Sequence, residues 1–331
     1  MNPEVYEGRE GWLFLQGGSN KLGTLYDRKS TRLPDTKLHR WKQLIEYRAR
    51  KLEALGIQYV HVHVPEKQTV YDNKFREPPI VDWRLSPARR LGEMMQESSH
   101  RNVWLDLTEP LRAMRDAEQL YLKTDTHWSA AGCFCAYRLI CARIGIAPDL
   151  SLLDARKYLD FGAYMDLGSK LEPPVAEVFR FYDFLQNARR SHANPIAQYL
   201  ETMPDKPVMH VGSHVGYRND APSAARKRIM IFGDSYSSQR GDALTGMLAE
   251  TASEVEFIWS SNLDWAYIRR IRPDVVIYEL AERFLTVVPK DRLSLRWILA
   301  RRGLRAKWLA RRGRRRMQRA EINTPAPPAD S

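Results

Sequence analysis

The sequence predicts an α/β protein in three layers, a mainly parallel sheet covered by helices on both faces. Two observations carry this reading. Apolar strand-like runs alternate with helix-like stretches through much of the 331 residues, and strands separated by helices join most simply in parallel with both sheet faces buried. The runs are also bounded by glycine or proline, as at Gly56 and Pro65, residues that end elements. Composition agrees, since 44% hydrophobic and 28% charged residues describe a globular chain with ample core and exclude a collagenous or low-complexity one. No run approaches the roughly 18 apolar residues of a membrane-spanning helix.

In chain order, Leu38–Leu55 has helical periodicity ending at Gly56, and Gln58-Tyr-Val-His-Val-His-Val-Pro65 reads as a strand. Val103–Leu107 is a short strand, and Ala130–Ile144 a helix closed by Gly145. Arg228–Phe232 is an apolar strand running into Gly233, followed by a helix-like stretch to Ala252. The strand Val255–Trp259, a further helix and the strand Asp274–Tyr278 complete the series. Residues Ile146–Ala225, rich in proline, glycine and polar residues, break the rhythm. They are too many for a simple loop and read as an insertion shaping a substrate surface. The domain so defined spans 1–289.

Charge is uneven. The chain carries 52 Lys+Arg and 40 Asp+Glu, a net +12, but Lys290–Ser331 alone holds 13 basic and 3 acidic residues. Positions 1–289 are left with 39 and 37, a net +2. The tail interleaves arginines with Trp297, Leu304 and Trp308, the pattern of a basic amphipathic helix ending near Arg319. It reads either as a contact for an anionic membrane surface or acidic polymer or as a solvated helix lying on its own domain. The segment from Asn323 onward, with three prolines, is expected to be disordered. Nucleic acid is not an expected partner, because the basic residues are confined to the tail and no zinc-finger, RRM or KH pattern accompanies them.

Cys133, Cys135 and Cys141 share one helix-like run and are expected to be small, reduced, buried thiols. His61 and His63 share a strand face; without a third ligand at suitable spacing they read as buried, hydrogen-bonded side chains. His210 and His214 flank Gly212-Ser213 ahead of the Gly233 strand and stand as further neighbours of a site. Neither a metal nor a cofactor is expected.

Two segments carry chemistry. In Gly233-Asp234-Ser235-Tyr236-Ser237 a serine follows a strand end at the mouth of a helix, where α/β sheets bind ligands and backbone N–H groups can stabilise an oxyanion. In Asp125-Thr126-His127-Trp128 the histidine suits the base such a serine needs, and the aspartate two residues away suits the carboxylate that would fix its tautomer. Each segment alone also reads as turn or helix-entry sequence.

Together with Gly11-Trp-Leu-Phe14, these segments resemble the alginate O-acetyltransferase family of the AlgX/AlgJ type, SGNH-hydrolase-like proteins also described as DHHW proteins. The resemblance covers roughly positions 8–288. In an ordinary SGNH hydrolase the Gly-Asp-Ser block precedes an Asp-x-x-His block; here the order is permuted and the spacing is Asp-x-His. The resemblance implies Ser235 as nucleophile, His127 as general base and acid, and Asp125 as orienting carboxylate. Tyr236 and Trp128 come with these motifs as supporting or substrate-binding residues. Tyr278-Glu279-Leu-Ala-Glu282-Arg283 and Pro65-Glu66-Lys67 resemble further family segments. Arg283 and Glu282 then read as support for the site or as an internal ion pair, and Lys67 as a substrate contact or a solvated strand-end lysine.

The implied activity is O-acetylation of a polysaccharide, an exopolysaccharide or alginate-like chain, through an acyl-serine, with the polysaccharide and an acyl donor as partners. A carbohydrate esterase with the same three residues is the first alternative, and a catalytically silent glycan-binding assembly subunit the second. Acids at Glu4, Glu7 and Glu10 stand where a signal peptide would be basic and then apolar, which predicts a cytoplasmic chain, whereas the family is largely periplasmic.

Overall fold

The computed structural model describes residues 3–17, 21–30, 32–202, 210–292, 294–309 and 311. Its strands are β1 (Val5–Glu7), β2 (Leu13–Leu15), β3 (Gln58–Val64), β4 (Trp104–Asp106), β5 (Tyr158–Ala163), β6 (Glu177–Tyr182), β7 (Arg189–Ala193), β8 (His214–Arg218), β9 (Ala225–Gly233), β10 (Ala252–Trp259) and β11 (Val275–Ala281). The α-helices are α1 (Asp35–Glu53), α2 (Lys67–Val70), α3 (Pro87–Gln96), α4 (Thr108–Met114), α5 (Ala130–Ile144), α6 (Pro195–Thr202), α7 (Leu244–Thr251), α8 (Trp265–Ile271) and α9 (Leu295–Ile298).

The main sheet has the order β4-β3-β11-β9-β10-β8-β7. Its first five strands are parallel, and β8 and β7 add to one edge antiparallel. Strands β3 and β11 are buried almost throughout, as a sheet covered on both faces requires. Helices α1 and α3 pack together, touching β3 and β4 respectively, and α5 packs with α7 against β3 and β10. Tyr47 of α1 meets Trp265 of α8 edge-on at 6.0 Å. The connection β3 to β4 runs one way across the sheet and β9 to β10 the other, so the carboxyl ends of β3, β11 and β9 bracket the switch point where such sheets hold ligands.

Local chemistry explains the boundaries. Helix α1 begins after Pro34, three residues before the apolar periodicity does, and Gly56 takes φ +71° just beyond its end. The α5 helix has its expected span. The Ser129 hydroxyl accepts from the Gly132 N–H at its start, and Gly145 is left-handed at its end. The stretch after Gly233 is helical only over α7, because residues 234–243 wind into a turn that has Ser238 at φ +55°.

Residues 146–225 are only in part an insertion. Strands β5 and β6 form a separate hairpin, but β7 and β8 complete the main sheet, β8 held by backbone pairing with β10 and β7 by pairing with β8. The three cysteines are free and buried on α5, where loss of solvent raises the Cys133 thiol pKa. His61 and His63 are fully buried. The His61 Nδ1 meets the Tyr59 hydroxyl at 3.2 Å, whereas the His63 nitrogens have no hydrogen-bond partner among the described residues and its ring stacks on Trp104 at 5.5 Å. Burial keeps both imidazoles neutral. The proline-rich end from Asn323 lies outside the described residues, as does the part of the expected helix between 312 and Arg319.

The chain past 289 is tied into the domain where it begins. The buried Arg48 guanidinium donates from Nε and Nη2 to the Asp291 carboxylate at 2.9 and 2.6 Å, donates to the Ser261 carbonyl, and lies 4.2 Å from the Tyr278 ring centroid. Asp291 also accepts from the Leu263 N–H. Removing one ion from such a pair leaves the other buried without compensation. Asp291→Ala is therefore expected to cost about 3–5 kcal/mol in urea unfolding, and Arg48→Met combined with Asp291→Leu markedly less.

Candidate active site

Ser235 stands two residues past the end of β9. The turn that presents it is held from below by carboxyl groups. Glu279 Oε2 accepts from the Asp234 N–H at 3.2 Å, the Ser237 N–H at 3.2 Å and the Ser237 hydroxyl at 2.7 Å. Asp234 accepts from the N–H groups of Tyr236 and Ala281. Gly233 is required for this closeness, because a Cβ there would lie 2.8 Å from Glu279 Oε2. Burial raises the pKa of both acids, and the charge of Asp234 raises Glu279 further.

The loop from Leu120 to Ser129 approaches from the start of α5. Tyr121 and Trp128 form a bridge, and the Ser129 N–H donates to the Leu120 carbonyl. Gly132 lets α5 approach this backbone, since a Cβ would fall 2.0 Å from the Leu120 oxygen. At the tip, His127 Nδ1 is 2.6 Å from Asp125 Oδ1, which also accepts the His127 N–H at 2.8 Å. His127 Nε2 is 2.8 Å from Ser235 Oγ. The structure thus brings Asp125, His127 and Ser235 into one hydrogen-bonded line. Burial alone would lower the His127 pKa; the charge and hydrogen bond of Asp125, helped by Asp166, outweigh it, so the pKa is raised. Asp125 moves down, since its own burial is outweighed by His127 and Lys67.

The supporting residues have specific tasks. Tyr236 is buried, donates to the Thr126 carbonyl at 2.7 Å and lies against both His127 and Trp128, tying the serine turn to the histidine loop. Arg283 makes an internal ion pair, but with Glu66 (2.6 and 2.7 Å) rather than Glu282, and its Nη2 reaches the Tyr236 hydroxyl at 3.4 Å. Glu282 instead accepts from the Glu66 N–H, Thr69 and Tyr26.

Lys67 is neither solvated nor in the cleft. It is 1% exposed, and its ammonium donates to the carbonyls of Leu122, Lys123 and Asp125 at 2.9, 2.8 and 2.6 Å. The ammonium sits 5.8 Å from the Trp12 ring and 5.6 Å from the Phe14 ring, so the Gly11-Trp-Leu-Phe14 motif is its cover. Burial pulls its pKa down to about 7 against the opposing charges of Asp125, Asp166 and Glu177.

Two contributors had no sequence signal. Glu177 on β6 accepts from the N–H groups of Lys123 and Thr124 and from the Thr124 hydroxyl. Asp166 accepts from the Thr126 N–H and hydroxyl at 2.8 and 2.5 Å. Asp125, His127 and Asp166 form the one group among the described residues whose ligand atoms lie close enough, within 4.8 Å, to hold a cation. Those atoms are already engaged, the imidazole with Asp125 and Ser235 and the Asp166 carboxylate with Thr126.

Above this line opens a cleft of about 970 Å³ bordered by Trp128, Phe179, Arg180, Phe181, His210, Gln239, Arg240 and Trp259. His210 reaches it, stacked on Trp259 at 4.4 Å. His214 instead pairs with Glu256 at 3.2 Å and His192 at 3.1 Å.

A mainly parallel sheet covered on both faces, with Ser235, His127 and Asp125 in line beyond the end of β9, has the architecture of an SGNH-hydrolase-like protein. The family model described as "SGNH hydrolase-like domain, acetyltransferase AlgX" matches residues 5–264, and the chain belongs to that family. A probable alginate O-acetylase AlgJ of Pseudomonas fluorescens is 24% identical over 308 residues, which cover 86% of this chain and 69% of the relative. Among solved structures, the O-acetyltransferase domain of Pseudomonas putida AlgJ superposes with a TM-score of 0.57 at 18% identity, covering 89% of this chain and 98% of that one. Bacillus cereus PatB1 gives 0.58 at 14% identity, covering 86% and 97%. These two likenesses concern the fold.

Lys67→Met would leave three buried carbonyls without donors. An unmet buried acceptor costs about 1–3 kcal/mol, and a loop displaced by 1 Å can cost about 10²-fold in rate. The variant is expected to lose several kcal/mol in urea unfolding. Its folded fraction should react with a fluorophosphonate probe at least about tenfold more slowly than wild type.

Proposed function

We propose that the protein is a serine-dependent O-acetyltransferase that acylates hydroxyl groups of a polysaccharide. The observation that carries this reading is the line from Asp125 through His127 to Ser235, with contacts of 2.6 and 2.8 Å. In the first half-reaction His127 Nε2 takes the Ser235 proton as Oγ attacks the donor's acyl carbonyl. The oxyanion forms against the Ser235 N–H, which makes no hydrogen bond among the described residues, at the positive end of the turn. The imidazolium is held by Asp125 and returns its proton to the departing group, leaving an acyl-serine. In the second half-reaction His127 deprotonates a sugar hydroxyl, whose oxygen attacks the ester carbonyl. Collapse of this second intermediate breaks the bond to Oγ and returns the proton to Ser235.

Family membership supports the acetyltransferase reading, and the relative named as an alginate O-acetylase supports a polysaccharide acceptor. The cleft agrees. Phe179 and Phe181 of β6 border it with apolar rings that suit sugar faces, and Arg180 of the same strand lines the same space, a cation an acidic glycan such as an alginate-like chain would use.

The test is mass spectrometry of intact protein incubated with p-nitrophenyl acetate, followed by glycan acceptors. An acetyl adduct on Ser235, absent from Ser235→Ala and discharged faster by a polysaccharide than by water, is the expected result. Discharge by water alone would make the protein an esterase, and absence of both adduct and ester turnover in folded protein would leave a binding subunit. The pH profile gives a second check. The base must be neutral, so kcat/KM should fall as pH drops through a His127 pKa above the ordinary histidine value. Asp125→Asn removes what raises that pKa, so the acid limb should move to lower pH while the rate falls by about 10⁴-fold.

A further inference from the structure

We propose that the C-terminal helix docks the protein on the surface of an anionic lipid bilayer. From Leu295 the chain is helical to Leu309, with one wide turn over Leu299–Gly303. Its inner side is already satisfied. Leu295 enters the main core, and Ile298 and Ala306 form a separate cluster with Ile196 and Tyr199 of α6, with Leu299 and Leu309 packed against it. The wide turn keeps this buried side in register, making Gly303 and Ala306 follow Ile298 inward.

A helix lying on a domain needs one apolar side, and this one has a second. Trp297, Leu304 and Trp308 are 58%, 78% and 57% exposed. Between them stand the exposed cations Arg296, Arg301, Arg302, Arg305, Lys307 and Arg311, with Arg301 seated 4.6 Å from the Trp297 ring centroid. The sequence has no acid from Arg292 to Ala320 and five further arginines after Arg311. Tryptophan is favoured at the level of lipid headgroups, leucine among the acyl chains beneath, and arginine beside anionic headgroups. A bilayer with anionic lipids uses all three. An acidic polysaccharide would satisfy the arginines and leave Leu304 in water.

No helix among the described residues is long and apolar enough to cross a membrane, so this contact lies along the surface. It bears on the cleft as well, because α6, which receives the helix, also presents Leu200 to the cleft wall.

The test is flotation of the full chain with phosphatidylcholine vesicles with and without phosphatidylglycerol. Binding is expected only with phosphatidylglycerol, weakening with salt. It should fall by about fivefold for each of Arg301→Gln, Arg302→Gln and Arg305→Gln, and by at least about tenfold in the triple variant Trp297→Ser, Leu304→Ser, Trp308→Ser. All six positions are exposed, and unchanged fluorophosphonate labelling of the variants confirms that they fold. Failure to float with anionic vesicles overturns the proposal. So does flotation that the triple serine variant leaves intact, or retention by an acidic polysaccharide without flotation, either of which would assign the helix to bare charge attraction.

Discussion

The site depends on one buried ammonium. Lys67 reaches from the end of β3 into the histidine loop and gives each of its three N–H donors to a carbonyl there. Removing an ammonium from water costs several kcal/mol, and that cost is offset only where every donor is met and opposite charge lies near. Asp125, Asp166 and Glu177 supply the charge. The third carbonyl belongs to Asp125 itself, so the contact that fixes the loop also fixes the residue that orients His127. Trp12 and Phe14 close the other side, which links the sequence's first motif to its second through a lysine in neither.

A second set of buried charges fixes the serine side. Glu66 and Arg283 pair beneath the cleft, and Arg283 reaches the Tyr236 hydroxyl, whose proton goes to the Thr126 carbonyl. The turn carrying Ser235 and the loop carrying His127 are thereby referenced to the ends of β11 and β3, two strands paired from Val275 with Gln58 to Ala281 with Val64. Such support matters because proton transfer between Oγ and Nε2 tolerates little error in distance. Burial pushes the Glu282 pKa up to about 7 and raises Glu279, so the floor can hold several carboxyl groups around one guanidinium.

Much of this was legible in the sequence, for reasons that differ by element. Parallel strands buried on both faces leave continuous apolar runs, so β3, β9, β10 and β11 were visible. Ser235, His127 and Asp125 were visible because each sits in a short motif whose spacing is local. Strands β7 and β8 were not: with exposed, arginine-rich β7 and a glycine within β8, their place is set by pairing of β8 with β10 and of β7 with β8, which no local pattern encodes. Glu177 and Asp166 were hidden for the same reason, being single acids brought to the loop by tertiary packing. Lys67 was misjudged because a lysine at a strand end is ordinarily solvated. Only the meeting of three carbonyls, themselves set by a distant loop, makes burial favourable.

One segment within the region read as an insertion borders the cleft directly. The hairpin β5–β6 holds the histidine loop through Glu177 and, with the next residues of the same strand, Val178 to Tyr182, forms a wall of the cleft. One short strand therefore joins the surface that would grip an acceptor to the loop that would deprotonate it. The parallel sheet contributes none of this variation; it supplies fixed strand ends from which Ser235, Lys67 and Arg283 are measured. The cleft wall can change without disturbing the sheet, and Glu177 ties that wall to the loop that carries His127.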